Sequence, residues 1–430
     1  MKVRHVWTVA ALLSASLAAQ EPAPPAAKIS NFDRGVSLAM LAGVKSDLKE
    51  HYYDKTFHGM DIDTAFADAE QRIKAANTVN ETVGIIAELL IRLNDSHTNF
   101  FPPDRKTRVT YGWSAAMIGD EPYVVSVKPG SDAEKKGLAR GDRILAWNRF
   151  QPTRQNLWQI EYLYHIIRPQ QMQRVIVRKP DGKEQAIDVE SKLEARDTEV
   201  RDLIADYWKQ QWNARDEDTT VGDITVWKCV VFDDPKNMER MIKNARKSKA
   251  LVLDLRGNGG GRVDALEELI SRLFDRDVHV GVEISRKGSK PSDVKGRKDA
   301  FTGPLVVLVD SESGSASEFA ARVVQLERRG TIIGDRTAGA VMTSRYFGHT
   351  IGIEPVTDYG ASITVADVKM SDGKSLEHVG VTPDEIVLPT AADMKARRDP
   401  ALARAIEKLG GTITPEQAGR LFKDRDEAQR

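Results

Sequence analysis

The residues most able to do chemistry lie in Asp310-Ser-Glu-Ser-Gly-Ser-Ala-Ser-Glu-Phe319. The run before it, Leu305 to Val309, is wholly apolar and reads as a buried strand. The run after it, Glu318 to Leu326, repeats apolar residues at helical spacing. A serine on a small-residue turn between strand and helix exposes its hydroxyl beside a helix N-terminus. The free N–H groups and positive dipole end of that helix can stabilise an oxyanion. Ser313, Ser315 and Ser317 all qualify, and a serine-rich N-cap is the plainer reading of each. A second glycine-rich turn, Arg256-Gly-Asn-Gly-Gly-Gly261, follows the strand-like run Ala250-Leu-Val-Leu-Asp-Leu255. Arg262 stands where a dinucleotide-binding GxGxxG pattern needs its third glycine, which argues against phosphate cradling. Backbone N–H groups of such a loop serve an oxyanion equally well.

A serine nucleophile needs a base, commonly a histidine oriented by a third group. Eight histidines are available. His5 lies in an N-terminal apolar leader, His51 and His58 in or just after the first helical run, and His165 in a strand-rich segment. His279 and His349 have no partner nearby in sequence. His97, in the turn Asp95-Ser-His-Thr98, and His378, beside Glu377, remain open. An imidazole already titrates near neutrality, whereas a lysine must come down roughly 3 pH units, about 4 kcal/mol of desolvation or like-charge cost.

The elements that must position these groups follow from the chain in order. Lys and Arg number 63 and Asp and Glu 63, so no net field points to nucleic acid or an anionic membrane. The single cysteine, Cys229, permits no intrachain disulfide and reads as a packing residue; no metal-ligand spacing such as HExxH occurs. Residues 1–19 have a basic start, an apolar middle and a small-x-small end at Ser16-Leu17-Ala18, the pattern of a signal peptide for export to the periplasm or medium. No later run approaches the ~20 apolar residues of a membrane span. Residues 20–30 read as a flexible leader and 31–107 as a helical domain ending in the Ser96-His97 turn. Short strands and turns fill 108–192, and 193–222 is a charged connector. Strands and helices alternate through 223–391, the pattern of α/β packing, and 392–430 is a charged helical tail.

Two resemblances sharpen this. The order of strand, Pro-Gly turn, short helix and strand from Tyr123 to Asn148 resembles a PDZ domain. That resemblance implies peptide capture by strand addition at Tyr111, Gly112, Trp113 and Ser114. The segments "LVLDLRGNGGG", "VVLVDSESGSASEF", "TIIGDRTAG" and "LEHVGVTPDEIV", in this order after the PDZ-like segment, resemble the tail-specific, or C-terminal-processing, serine protease family. The resemblance implies an α/β fold with a crotonase-like ββα catalytic core, a helical N-terminal domain and an inserted β-rich PDZ-like domain. It also implies a peptidase that needs no cofactor or metal and acts on protein or peptide substrates. Its Ser-Ala-x-Glu motif places the nucleophile at Ser315, with Ala316 and Gly260 or Gly261 as oxyanion donors. The branch with a Ser-Lys dyad has a lysine where this chain has Ala340, leaving only Lys369 or Lys374 for a displaced dyad. The branch similar to the tricorn core protease uses a Ser-His pair ahead of the PDZ domain and a later glutamate. These match Ser96, His97 and Glu377. A catalytically silent ligand-binding relative and a scaffold acting through the PDZ-like segment are the rival readings.

Overall fold

The computed structural model describes residues 28–103, 105, 107–195, 216–352 and 356–422. The expected signal peptide, most of the leader and connector, and the end of the tail lie outside these residues.

Three helices, Asn31–His51, Ile62–Ala75 and Val79–Ile91, open the described chain. Each begins on a polar cap: Ser30, Asp61 and Thr78 accept the N–H of the third residue onward. The stripe Ile85, Ile86, Leu89 and Leu90 is buried, as its 3.6-residue period requires. It packs into one core with Tyr359, Ala361 and Ile363 from the 14-residue strand Thr357–Met370. The chain then reverses at Asn94, whose φ is +51°, and forms the short strand Asn99–Phe101. This strand pairs antiparallel with Thr357–Met370, Phe100 opposite Ala361. The Ser96-His97 turn is therefore anchored at both ends to the last third of the chain.

The middle segment is a five-stranded antiparallel sheet ordered Trp113–Ile118, Glu121–Val127, Arg143–Trp147, Met172–Arg178 and Glu184–Glu190. The expected helical turn after Ser131 is Asp132–Lys135, closed by Gly137 at φ +86°. A helix not expected from the sequence, Leu157–Glu161 running into a π-helical turn Tyr162–Ile167, covers the sheet. The first and last strands of the flanking linkers, Thr107–Thr110 and Lys192–Ala195, pair with each other and close this unit at its base.

The α/β part is a six-stranded sheet ordered Glu385–Ile386, Thr331–Gly334, Leu305–Val309, Ala250–Asp254, Ile224–Lys228 and Glu217–Val221, parallel except at the last edge. Both faces are buried. Leu251, Leu253, Leu305, Val307 and Val309 face helices Pro235–Ala245, Val263–Leu273 and Ala316–Leu326. Val252, Val306 and Leu308 face Leu402, Ala405 and Ile406 of helix Pro400–Lys408. Period-two strands in a two-sided core give these continuous apolar runs. The charged C-terminal segment is thus a packed layer. It reaches the glycine loop through Arg256, whose guanidinium pairs with Asp254 and Asp399, both at 2.7 Å. A second, antiparallel sheet joins Asn99–Phe101, Thr357–Met370, Val278–Ser285, Gly288–Val294 and Thr343–Ile351.

Candidate active site

The turn after strand Leu305–Val309 distinguishes its three serines. Ser313 Oγ donates to Leu255 O (2.9 Å) and Ser317 Oγ to Asn258 O (2.9 Å); both residues are fully buried. Ser315 is partly exposed, and its hydroxyl has no side-chain partner among the described residues. Its backbone sits at φ +50°, ψ −117°, a conformation costly for any residue with a Cβ. The Ser315 N–H is held by Ala340 O at 2.7 Å and by Glu318 Oε2 at 3.2 Å.

The glycine loop lies directly against this turn. A Cβ on Gly260 would stand 2.6 Å from Ser315 Cβ, and one on Gly261 2.3 Å from Phe232 O, so neither position admits a side chain. Buried Asn258 stitches the two loops together. Its carbonyl accepts from Gly314 N–H (3.0 Å), and its Oδ1 accepts the Gly260 N–H at 2.8 Å. The Gly260 N–H is thereby committed, while Ala316 N–H, at the first turn of its helix, has no acceptor among the described residues.

His97 belongs to a second cluster. Ser96 Oγ lies 2.7 Å from His97 Nδ1 and donates to Glu377 Oε2 at 3.0 Å. A hydroxyl has one proton, so Ser96 must accept from Nδ1–H. That fixes the tautomer and leaves the lone pair on Nε2. Glu377 also accepts the Ser96 N–H (2.9 Å) and the Val341 N–H (3.0 Å), and Asp95 Oδ1 accepts the His97 N–H (2.8 Å) and Thr364 Oγ1–H (2.6 Å). Burial depresses the His97 pKa below 6.5, against the opposing pull of Glu377 and Asp95. The imidazole is therefore neutral at pH 7 and able to accept a proton. Both clusters meet on one strap: Ala340 O holds Ser315, and the next residue, Val341, holds Glu377. A cleft of about 140 Å³ lined in part by Asp95, Met342, Glu377 and His378 adjoins the carboxylate end of this cluster. A larger one, about 490 Å³, is lined by Tyr53–Lys55 and Ile284–Gly288 and includes none of these groups.

The other candidates are placed elsewhere. His378 Nε2–H donates to Asn94 O at 2.9 Å, so it ties the turn rather than serving as a base. Lys369 and Lys374 are exposed, on a strand and in a turn, and neither bonds to Ser315. The expected peptide-receiving residues need correction. Tyr111 is buried, its hydroxyl donating to Gln170 O (2.9 Å), and Trp113 is buried against Trp147 at 4.5 Å between ring centroids. Large aromatic surfaces at the sheet's edge fill its core instead of lining a groove. Gly112 packs on Ser131 and Ser114, the second residue of the edge strand, lies opposite Ser126, so only backbone remains there for strand addition. That edge touches the nucleophile turn: Ser311 Oγ donates to Met117 O at 2.6 Å. Arg154 Nη2 pairs with Asp335 Oδ2 at 2.6 Å, and both side chains are about nine-tenths buried (10% and 9% exposed).

Four supporting residues had no role in the sequence reading: Asp95, Asn258, Glu318 and Thr337. Asp95 and Glu318 stand inside the two chemistry-bearing motifs, but Thr364 on the one and Thr337, Gly339 and Ala340 on the other come from elsewhere in the chain.

With this geometry in view, comparison with known proteins becomes specific. Residues 220–387 match the model of peptidase family S41. That stretch is similar to the S41 peptidases. Members of this family are serine-type peptidases. The chain is 34% identical over 181 residues to the carboxy-terminal-processing protease of Bartonella bacilliformis, covering 39% of each chain. It is 30% identical over 165 residues to the carboxyl-terminal-processing protease of Synechocystis sp., covering 38% of this chain and 37% of that one. It therefore matches less than two fifths of the length of either relative. In fold it is similar to mature CPAF solved with lactacystin, with a TM-score of 0.63 at 14% identity over 85% of this chain and 96% of that one. No helix among the described residues is long and apolar enough to cross a membrane.

Proposed function

We propose that this chain is an exported serine endopeptidase that cleaves protein or peptide substrates through an acyl-enzyme on Ser315. In the first step Ser315 Oγ attacks the scissile carbonyl carbon and its proton passes to His97 Nε2. The carbonyl oxygen becomes an oxyanion received by Ala316 N–H, with the Gly261 amide as the second donor because that of Gly260 is committed. Collapse breaks the C–N bond, and the leaving amine takes the proton from His97. Water, deprotonated by the same imidazole, then releases the acyl group and restores Ser315. Glu377 and Ser96 hold the imidazole in the required tautomer. The middle unit acts as a PDZ-like substrate-recognition domain inserted ahead of a crotonase-like core, and residues 1–19 direct export to the periplasm or beyond.

The observation that carries this reading is the sorting of hydroxyls. Ser313 and Ser317 donate to backbone carbonyls, while Ser315, whose Oγ stands in the capping box at the helix N-terminus, has no acceptor for its proton among the described residues. The test is degradation of an unfolded protein such as reduced casein by purified protein. New N-termini should appear with the wild type and not with Ser315→Ala of equal thermal stability. Casein binding without cleavage by both forms would support a silent ligand-binding relative instead.

A further inference from the structure

The mechanism above leaves one buried ionisable group beside the nucleophile without a task. Glu318 is fully buried in the first turn of helix Ala316–Leu326. Its Oε1 accepts from Thr337 Oγ1 (2.5 Å) and Gly339 N–H (2.8 Å), and its Oε2 from Ala340 N–H (2.8 Å) and Ser315 N–H (3.2 Å). Thr337 Oγ1 already accepts the Val381 N–H at 2.6 Å, so its single proton is the one aimed at Glu318. All four neighbours are therefore donors, two on each oxygen. Only an ionised carboxylate, which accepts on both oxygens and donates on neither, satisfies them together.

We propose that Glu318 is a positioning residue for the reaction: its carboxylate buckles the 337–340 strap to the Ser315 turn and holds the nucleophile in its strained backbone conformation. This rests on the reading of Ser315 as nucleophile. The Ala340 peptide works through its backbone, its carbonyl on Ser315 N–H and its own N–H on Glu318. The same strap continues to Val341 and so to Glu377 and, through Ser96, to His97; these are the titratable groups nearest along it. Slackening at Glu318 is thus felt by nucleophile and base together.

Protonation would set an O–H, and a glutamine amide its N–H groups, against one of these two pairs of donors. Burial pushes the Glu318 pKa up to about 7, against the four hydrogen bonds that favour the ionised form. Protonation of Glu318 on acidification then loosens the nucleophile before His97, held below 6.5, takes up its proton.

The experiment is the pH dependence of Ser315 acylation by a fluorophosphonate probe, in folded protein verified by thermal unfolding. The wild-type rate should fall below about pH 7. Glu318→Gln should be slower by about 10- to 100-fold at pH 8, the cost of one or two hydrogen bonds to a charged group. Its acid limb should move to the lower value set by His97. Thr337→Val removes one donor from the ionised form, so its limb should move upward with a smaller loss of rate, and Thr337→Ser should restore the wild-type profile. A folded Glu318→Gln protein with wild-type rate and limb would overturn the proposal. If that variant does not fold, an unmoved limb in Thr337→Val overturns it. Failure of the wild type to label at all would fell the nucleophile assignment itself, whereas labelling indifferent to Glu318 and Thr337 fells this inference alone.

Discussion

The nucleophile half and the base half of the site are built in opposite ways. Around Ser315 nearly every partner comes from adjacent parallel strands and the loops that follow them, the 337–340 strap after Thr331–Gly334 included. Leu305–Val309 and Ala250–Asp254 are paired, so their following loops must meet. Placement is then a local consequence of a parallel sheet, where sites gather beyond the carboxyl ends of the strands. Around His97 nothing is local. Ser96 and Glu377 are 281 residues apart, and Asp95 and Thr364 269. The imidazole stands where it does only because the helical unit packs on strand Thr357–Met370 and strand Asn99–Phe101 pairs with it. The nucleophile is set by the fold of one unit, the base by the docking of two.

That contrast can be broken or sharpened by substitution. Ser315→Ala has the largest expected effect, loss of all fluorophosphonate labelling with an unchanged unfolding midpoint. Glu377→Gln should come next. Its two oxygens accept three donors, and an amide cannot, so acylation should slow by about 10- to 100-fold as the relay and the Val341 anchor are both disturbed. Ser96→Ala leaves Glu377 its two backbone donors but removes the hydroxyl that links its carboxylate to His97 Nδ1–H, so a fall of about tenfold is expected. Arg154→Ala should hardly change acylation, within about twofold. It should lower the unfolding midpoint instead, because Asp335 keeps a buried charge without its partner, a change worth about 3–5 kcal/mol. Equal losses of acylation from Glu377→Gln and Arg154→Ala would erase the distinction between orienting the base and docking the middle unit.

The asymmetry also explains what could be read in advance. The apolar runs, the glycine loop and the Ser315 turn were legible because local period and small residues dictate a strand, a tight turn and a helix start. Helix Leu157–Glu161 with its π-helical continuation was not, because Trp158, Tyr162 and Tyr164 suit a strand as well as a helix. Strand Thr357–Met370 was hidden by Asp358, Asp367 and Lys369, although it carries Thr364, whose hydroxyl bonds Asp95 in the His97 turn. Tyr111 and Trp113 were placed in the right segment, but their burial depends on the sheet that covers them. An acid in the first turn of a helix, such as Glu318, ordinarily means no more than a favourable dipole contact. Only tertiary structure reveals that four donors converge on it. His97 itself was reached through resemblance, since a Ser-His pair in a turn has no local feature that marks a base.

The most direct test of the central claim is to react wild type and His97→Ala with a fluorophosphonate at pH 8 and map the adduct by peptide mass. The account predicts a single adduct on Ser315 in the wild type and a rate lower by about 10²- to 10⁴-fold in the variant at equal thermal stability. An adduct on another serine, or acylation of Ser315 at the wild-type rate without His97, would contradict it.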